Sequence, residues 1–594
     1  MWLAVLTMVF FVPDALTRWV LPKDALLALA VVIGSLAVAR GRLPRWLVTL
    51  ATVAGGLLLI AVLASANPAA QLWGSWPRYE GLVSMPVYVA AVWLGARLIA
   101  PDVEPGGLST LNRAVIVAAT LMGVVSVLEA VGLGPIASDL ARPGAFAGNA
   151  TDQGIIGALI TAVLLLPLIR SWSDGTTRAP LGTRLALAVG LGAGLTTVIV
   201  AASRAALLAT VVVAVVIGVS EIIRLVQSAE RRELLRFLGL AAGALALLGA
   251  AILAVPLTRS RLLGSSPLSA SSVDDRFGMW SESLTLLASR PFVGVGPGGF
   301  ADAIVAEHDS DWYARVGSDT TLDSPHNWLL QVALDGGVFY LAVILAMVVA
   351  LTVVALRRWR SLRAAGNLGG ADFVIGALAA VVAYGVALLT HFTAPGTAIF
   401  AALLCGALIS VDAATGARAR PPFATHRAHW RLARTTLLAI WLVWLTVVTG
   451  AEVSLQGGLV ATRTGDVAAA QAAFARAQTL RPWDADVTSI AAQSFTAAAA
   501  AGLPGAAGEA LRWGERARAR LPENVSAAKA LAAARQISGD LTGAEATLRD
   551  LSALAPFDAS VARQLGDVLL MQGDRVAAEL EYARAAGLPD ASAG

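Results

Sequence analysis

The sequence predicts an all-α, polytopic membrane protein with about 13 transmembrane helices (12–13), followed by a C-terminal extracytoplasmic domain of helical repeats. Three observations predict it. Of the 594 residues, 57% are hydrophobic and 14% charged, against about 45–50% apolar and about 25% charged in soluble globular chains. Apolar blocks of spanning length recur up to about residue 451. After about 455 an alanine-rich helical periodicity, punctuated by Gly-Asp and by proline, replaces them. The composition also excludes disorder over most of the length, because disorder needs low hydrophobicity and high charge.

A span takes about 20 mostly apolar residues. Thirteen candidates follow, at roughly 3–18, 24–39, 46–66, 81–99, 112–133, 153–169, 183–202, 204–222, 236–256, 328–354, 372–390, 395–411 and 434–451. The first two are short and are split only by Asp14–Lys23, so they also read as one broken element. Met1-Trp2-Leu3 has no basic region before its apolar run, which reads as a first span rather than a cleaved leader.

Arginines set the expected orientation. With the N-terminus cytoplasmic, inside loops carry Arg40, Arg42 and Arg45, then Arg170, Arg178 and Arg184, then Arg224, Arg231, Arg232 and Arg236. Later ones carry Arg357, Arg358, Arg360 and Arg363, then Arg418, Arg420, Arg427, Arg431 and Arg434. This follows the positive-inside rule. It places the long mixed-charge loop 257–327 and the C-terminal domain outside a cytoplasmic (inner) membrane. Cys405, the one cysteine, sits in an apolar block and excludes an intrachain disulfide. No basic tract is interleaved with aromatics, so no nucleic-acid partner is expected. The outer acids show no fixed ligand spacing, and neither a metal nor a cofactor is expected.

Pro522 to Pro556 is 34 residues, and so is Gly539 to Gly573. The Gly-Asp starts at 465, 539 and 573, with closing prolines, resemble tetratricopeptide repeats. Such units bury their apolar faces only against neighbours and present a concave surface. A protein partner is one expectation for it; a plain helical cap is the other. The domains are then 1–454 and 455–594.

Polar residues gather where helices start at the outer face. Arg78 precedes span four, Arg142 and Asn149 precede span six, Arg204 begins span eight, and His326 precedes span ten. His391 lies at the outer end of span eleven. Helix N-termini carry free N–H groups and positive dipole ends, and arginine matches phosphate with a bidentate fork. The pattern suits an anionic headgroup on an apolar body, such as a lipid-linked diphosphate. An arginine at a span end also snorkels to headgroups, the plainer reading for Arg78 and Arg142. For Arg204 the positive-inside rule disfavours that reading, and Ser203 can cap the helix. Asp323 or Ser324 as cap and Pro325 at the first helical position would hold His326 neutral at a helix start.

These residues resemble the O-antigen ligase/polymerase family over about 70–410. The likeness rests on Ser203-Arg204-Ala205, on Arg276-Phe277-Gly278-Met279-Trp280 with Pro291 to Phe300, and on Pro325-His326-Asn327-Trp328 through Gly337. Arg142 to Asn149 resembles a further family stretch. The resemblance implies a metal-independent, inverting glycosyltransferase using an undecaprenyl-diphosphate-linked glycan. Arg204 and Arg276, joined by Arg142, Arg78 and Asn149, would hold the diphosphate and substrate. His326 would activate the acceptor hydroxyl, with His391 lining the same cavity. The acceptor would be a glycan, a lipid or a protein, and ligase and polymerase stay open. The Gly294–Gly299 run is expected to free the backbone for approach to the glycan or loop closure. A transporter or flippase, or a scaffold for polysaccharide assembly, is the alternative. Intramembrane midplane charges would mark the transporter.

Overall fold

The structure, a computed structural model, describes residues 1–37, 39, 41–100, 106–136, 140, 142–172, 179–228, 231–264, 267–318, 322–412 and 424–589. Arg40, Arg178, Arg418 and Arg420 lie outside these, as do the side chains of Arg427 and Arg431. Every expected span from 24–39 onward coincides with a helix. The first, 3–18, does not.

Only α1 (Trp2–Leu6) is helical in that stretch. At about 1.5 Å per residue, five residues fall far short of a hydrocarbon core of about 30 Å. The helix stops at Thr7, and Pro13 further on has no N–H to continue one. The carbonyls thereby released are taken by a buried ammonium. Lys23 Nζ donates to Thr7 O (2.7 Å), Met8 O (3.2 Å) and Phe146 O (3.0 Å). Twelve helices at expected spans remain, within the 12–13 foreseen; an even number sets the Met1 end and the repeats on the same side, so a cytoplasmic N-terminus together with repeats outside, as thirteen spans implied, is corrected.

The membrane block continues with α2 (Leu21–Leu36), α3 (Arg45–Ala64), the short α4 (Pro68–Trp73), α5 (Pro86–Leu98) and α6 (Gly107–Ala130). Then come α7 (Ala150–Ser171), α8 (Leu181–Val200), α9 (Arg204–Gln227) and α10 (Arg231–Ala254). A loop region of short helices follows: α11 (Pro256–Leu262), α12 (Pro267–Ser289), α13 (Phe300–Ala303) and α14 (Ser310–Arg315). The block closes with α15 (Trp328–Ala364), α16 (Leu368–Ala387), α17 (Pro395–Ile409) and α18 (Ala424–Arg463). Among the described residues nine of these are long and apolar enough to cross a bilayer; α5 and α17 are shorter apolar helices. The core sits on α7 and α16, 72% and 67% buried, whereas no residue of α10 is buried. At the arginine-rich face Arg170 pairs with Glu221 and Asp372, joining α7, α9 and α16. Arg358 caps the last turn of α17 through Ala407 O (2.8 Å) and Ser410 O (3.2 Å).

Helix α15 breaks at Gly337 (φ 79°, ψ 179°). Two hydrogen bonds from the glycine run mend the break. Val295 N donates to Leu334 O at 2.7 Å, and Val338 N donates to Pro291 O at 2.8 Å. Gln71 Nε2 then holds Val295 O at 2.7 Å. A Cβ on Gly294 would overlap the Leu334 carbonyl oxygen, and one on Gly296 the Gln71 carboxamide. The expectation of a free run at 294–299 is therefore corrected. It is a packed wedge, glycine-rich because backbone meets backbone there at positive φ. Gly294→Ala is expected to cost about 1–3 kcal/mol, read as a lower thermal midpoint in detergent. An unchanged midpoint would show that the wedge is slack.

Helix α18 runs unbroken through the composition change near 455 and forms the first hairpin with α19 (Val467–Leu480). Three more hairpins follow: α20 (Asp486–Ala500) with α21 (Ala506–Arg520), α22 (Val525–Ile537) with α23 (Leu541–Leu554), and α24 (Ala559–Gln572) with α25 (Arg575–Gly587). The Gly-Asp signature has a local cause. Gly465, Gly539 and Gly573 take left-handed backbone after one helix. Asp466, Asp540 and Asp574 then cap the next, accepting N–H bonds from Ala469, Gly543 and Ala577. Phe474, Phe495 and Trp513 fill one inter-hairpin core, and Leu548, Leu565 and Leu569 another.

A buried polar network fastens the repeats to the membrane block. Glu452 of α18 is fully buried and pairs with Arg481, which is 1% exposed. The same carboxylate accepts from Tyr79 OH (2.7 Å) and Thr17 N (2.7 Å). Arg481 also reaches Asp484 (3.0 Å) and lies over the Tyr79 ring.

Candidate functional site

The face that carries the repeats also gathers the residues singled out above. Among the described residues, three non-glycine positions have positive φ: Tyr79 (52°), Ala202 (49°) and His326 (50°). Each sits in a turn that delivers a candidate: Tyr79 follows Arg78, Ala202 precedes Ser203-Arg204, and the third is His326 itself. Left-handed backbone costs an L-residue about 1–2 kcal/mol, and such strain concentrates at functional sites.

Arg142 and Arg204 meet at the Ala202 turn. Ser203 caps α9 through Ala206 N (3.4 Å), as its position implied, and Arg204 is the first helical residue. Arg142 spans the gap to donate to Ala201 O (3.3 Å) and Ala202 O (3.4 Å). Arg204 donates to the carbonyl of Arg261 through Nε (3.1 Å) and Nη2 (2.8 Å). Arg276 on α12 joins them. Burial lowers its pKa, and so do the charges of Arg204 and Arg261, with Asp275 opposing. The pKa of Arg142 is lowered by burial and then by Arg261. Positive groups close enough to lower the pKa of Arg276 and Arg142 favour an anion among them. Arg261 was not foreseen; in sequence it is one more basic loop residue, and only the fold brings it to Arg204.

His326 stands beside this group on a loop tied to the Arg276 helix. Trp280 Nε1 donates to Pro325 O at 2.9 Å, which accounts for a tryptophan four residues after Arg276. The expected cap is corrected. Helix α15 begins at Trp328 and is capped by Asn327, whose Oδ1 accepts from Leu329 N (3.0 Å) and Leu330 N (3.4 Å). Pro325 therefore precedes the helix. The Ser324 hydroxyl instead accepts the N–H of His326 (3.1 Å). His326 Nδ1 lies 3.0 Å from the Ser324 carbonyl oxygen. A carbonyl only accepts, so in the neutral ring Nδ1 carries the proton and Nε2 holds the lone pair. The imidazole pKa is lowered, by burial first and by His391 and Arg276 further, against the Ser324 carbonyl and Asp323.

His391 and Arg78 also approach that ring and its loop. The rings of His326 and His391 are 6.4 Å apart, and Phe392 packs on both, at 5.2 Å and 4.3 Å. Arg78 lies 5.3 Å over Phe392, pairs with Glu80 and donates to Asp323 O (3.4 Å). Its guanidinium is therefore committed near the His326 loop and does not join Arg142, Arg204 and Arg276. His391 Nε2 is 3.2 Å from Asp152 of α7, both buried. Asp152 carried no signal of its own beyond its place immediately before the expected span at 153–169. Asn149 caps α7, accepting from Thr151 N at 2.7 Å; its side-chain oxygen is spent on the helix. Among the described residues no group of three or more His, Cys, Asp or Glu side chains converges as metal ligands.

Fold and site together define an all-α, multi-pass membrane protein with an ionisable site at one face, under a helical-repeat array. Residues 186–345 match the family model of the O-antigen ligase. Arg204, Arg276 and His326 fall inside the matched stretch; Arg78, Arg142, Asn149 and His391 fall outside it. The match supports a membrane glycan ligase or polymerase type of function. None of the curated proteins compared matches the chain. Among solved structures, a chain titled "MamA MSR-1 C2" is 18% identical, with a TM-score of 0.21, covering 23% of this chain and 76% of that one.

Proposed function

We propose that this protein transfers a glycan from an undecaprenyl-diphosphate donor to an acceptor hydroxyl, at the extracytoplasmic face of the cytoplasmic membrane. The observation that carries the reading is the 3.0 Å contact of His326 Nδ1 with the Ser324 carbonyl oxygen, which sets the tautomer. Its proton is fixed on Nδ1, and Nε2 is left as a base next to converging arginines. In the reaction His326 Nε2 takes the proton of the acceptor hydroxyl. The oxygen attacks the anomeric carbon from the face opposite the phosphate, inverting it. The bond from that carbon to the phosphate oxygen breaks, and the lipid diphosphate leaves with the electron pair. Arg204, Arg276 and Arg142 meet the charge developing on the diphosphate, where fixed positive groups lower the barrier most. Arg78 and His391 shape the acceptor side. The lipid tail lies in the bilayer beside the block, residues 1–454, and 455–594 stand over the acceptor side. No step uses a metal.

The test is release of undecaprenyl diphosphate by the reconstituted protein supplied with lipid-linked glycan and envelope acceptors from its host. Release coupled to a new glycosidic linkage supports the reading. No release, with the donor translocated instead, would make the protein a flippase.

The pH profile gives a second check. A base with a lowered pKa stays unprotonated to lower pH, so the acid limb of kcat/KM should lie below 6.5, the ordinary imidazole value. A limb at or above that value would mean that His326 is not the titrating base.

A further inference from the structure

We propose that the cavity between the repeats and the outer loop is the acceptor site and takes a neutral saccharide; this rests on the transfer reading above. The cavity measures about 970 Å³, at the upper end of small-ligand pockets of about 300–1,000 Å³, so more than one sugar ring fits.

Its walls come from both parts of the chain. The repeats contribute the end of α18, one face of α20 and the start of α22; the membrane block contributes Trp76, Pro77, Ala301, Asp302, Leu322 and Asp323. Hydrogen bonds at its edges fix the two walls together. Asn524 Nδ2 donates to Asp302 Oδ1 (3.0 Å), and Trp76 N donates to Asp486 Oδ2 (2.7 Å).

The lining chemistry selects the ligand class. Hydroxyls and amides dominate the polar wall, among them Ser489, Gln493, Ser494 and Ser526. Trp76 leaves 43% of its surface exposed beside them. A sugar offers the complement, an apolar C–H face for the indole and a rim of hydroxyls for the rest. The charged lining is three carboxyl groups, Asp302, Asp323 and Asp486, against one guanidinium, Arg463. A polyanion is disfavoured there, and the donor diphosphate belongs with the arginines instead.

Position selects the acceptor rather than the donor glycan. The cavity ends at Asp323, whose carbonyl holds Arg78 and which is three residues before His326. Arg276, with Arg204 and Arg261 near it, joins the same loop by a different contact, that of Trp280 on its own helix with Pro325 O. The His326 loop is thus shared by an anion-favouring group and a hydroxyl-lined cleft, the adjacency that transfer requires.

The test uses the full chain in nanodiscs. The donor is lipid-linked glycan extracted from host membranes. The probe is neutral oligosaccharide released from the host envelope by mild acid. Ala497→Trp fills the cleft from an exposed helix position, where substitutions cost little stability, and Gln493→Ala removes an amide one turn away. Saturation-transfer signals from the sugar ring protons should appear with wild type and weaken in both variants. The KM for the oligosaccharide should rise about tenfold in Ala497→Trp with kcat unchanged. Equal signals and equal KM in wild type and a normally folded Ala497→Trp would overturn the cleft, as would no signal from wild type. Lipid diphosphate release in those same samples would leave the transfer reading standing. Oligosaccharide bound by wild type and lost in Ala497→Trp, without any release, would uphold the cleft as a saccharide site and remove the transfer reading.

Discussion

Replacing His326 with asparagine is expected to lower glycan transfer by about 10²–10⁴-fold, the range a positioned general base supplies, with donor binding retained. Asparagine is the right replacement because of the backbone. At φ 50° an alanine is less at ease than the histidine it replaces, because Asn, Asp and His are the side chains enriched in left-handed backbone, and a lost loop would then mimic a lost base. Asparagine tolerates this region far better. The Trp280 bond to Pro325 O involves no side chain of residue 326, so the loop stays anchored. The measurement is initial-rate release of undecaprenyl diphosphate, beside donor affinity in the same preparation. A variant that keeps its rate would remove His326 from proton transfer and leave the arginine group with a purely binding role.

The second large effect concerns the joint between the parts. Arg481→Ala leaves the Glu452 carboxylate buried, still bonded to Tyr79 and Thr17 but without its guanidinium. Breaking a buried ion pair from one side costs about 3–5 kcal/mol. The repeats should then open from the membrane face, seen as faster amide exchange in α19 and α20 while α23 to α25 stay protected. The double change Glu452→Gln with Arg481→Met should recover most of that protection. It removes both charges of that pair, keeps a carbonyl acceptor for Tyr79 and Thr17, and leaves Asp484 its bond from Asp486 N (2.9 Å). A single variant that exchanges like wild type would mean that the repeats are held by other contacts, such as Asn524 to Asp302.

Hydrophobic length made twelve of the membrane-block helices legible, nine of them, among the described residues, long and apolar enough to cross a bilayer, because in lipid an apolar stretch must satisfy its backbone within a helix. The first span failed because apolar length cannot register a lysine sixteen residues away that competes for Thr7 O. The ends of helices were readable where a local cap decides them, as at Ser203 and Asp466. At His326 the reading chose the wrong cap, because Asp323, Ser324 and Asn327 all qualify by type and only the left-handed turn decides among them. Arg204, Arg276 and His326 were identifiable one by one from position and resemblance. Their neighbours Arg261, Asp152 and Phe392 were not, since each depends on contacts across dozens of residues or more. Glu452 and Arg481 were silent for the same reason; a charge in a helix announces its burial only through its partner.

Helix α18 crosses the block and enters the first repeat hairpin without a break. It therefore acts as a shaft rather than a tether. An α-helix advances about 100° per residue, one turn in 3.6, so the azimuth of the repeats is set by the number of residues between the bilayer and Glu452. One inserted residue would swing the cleft away from the His326 loop, and four would bring it nearly back. The spacing along this helix is under angular as well as linear constraint, so lengthening here is tolerated in steps of a turn and not residue by residue.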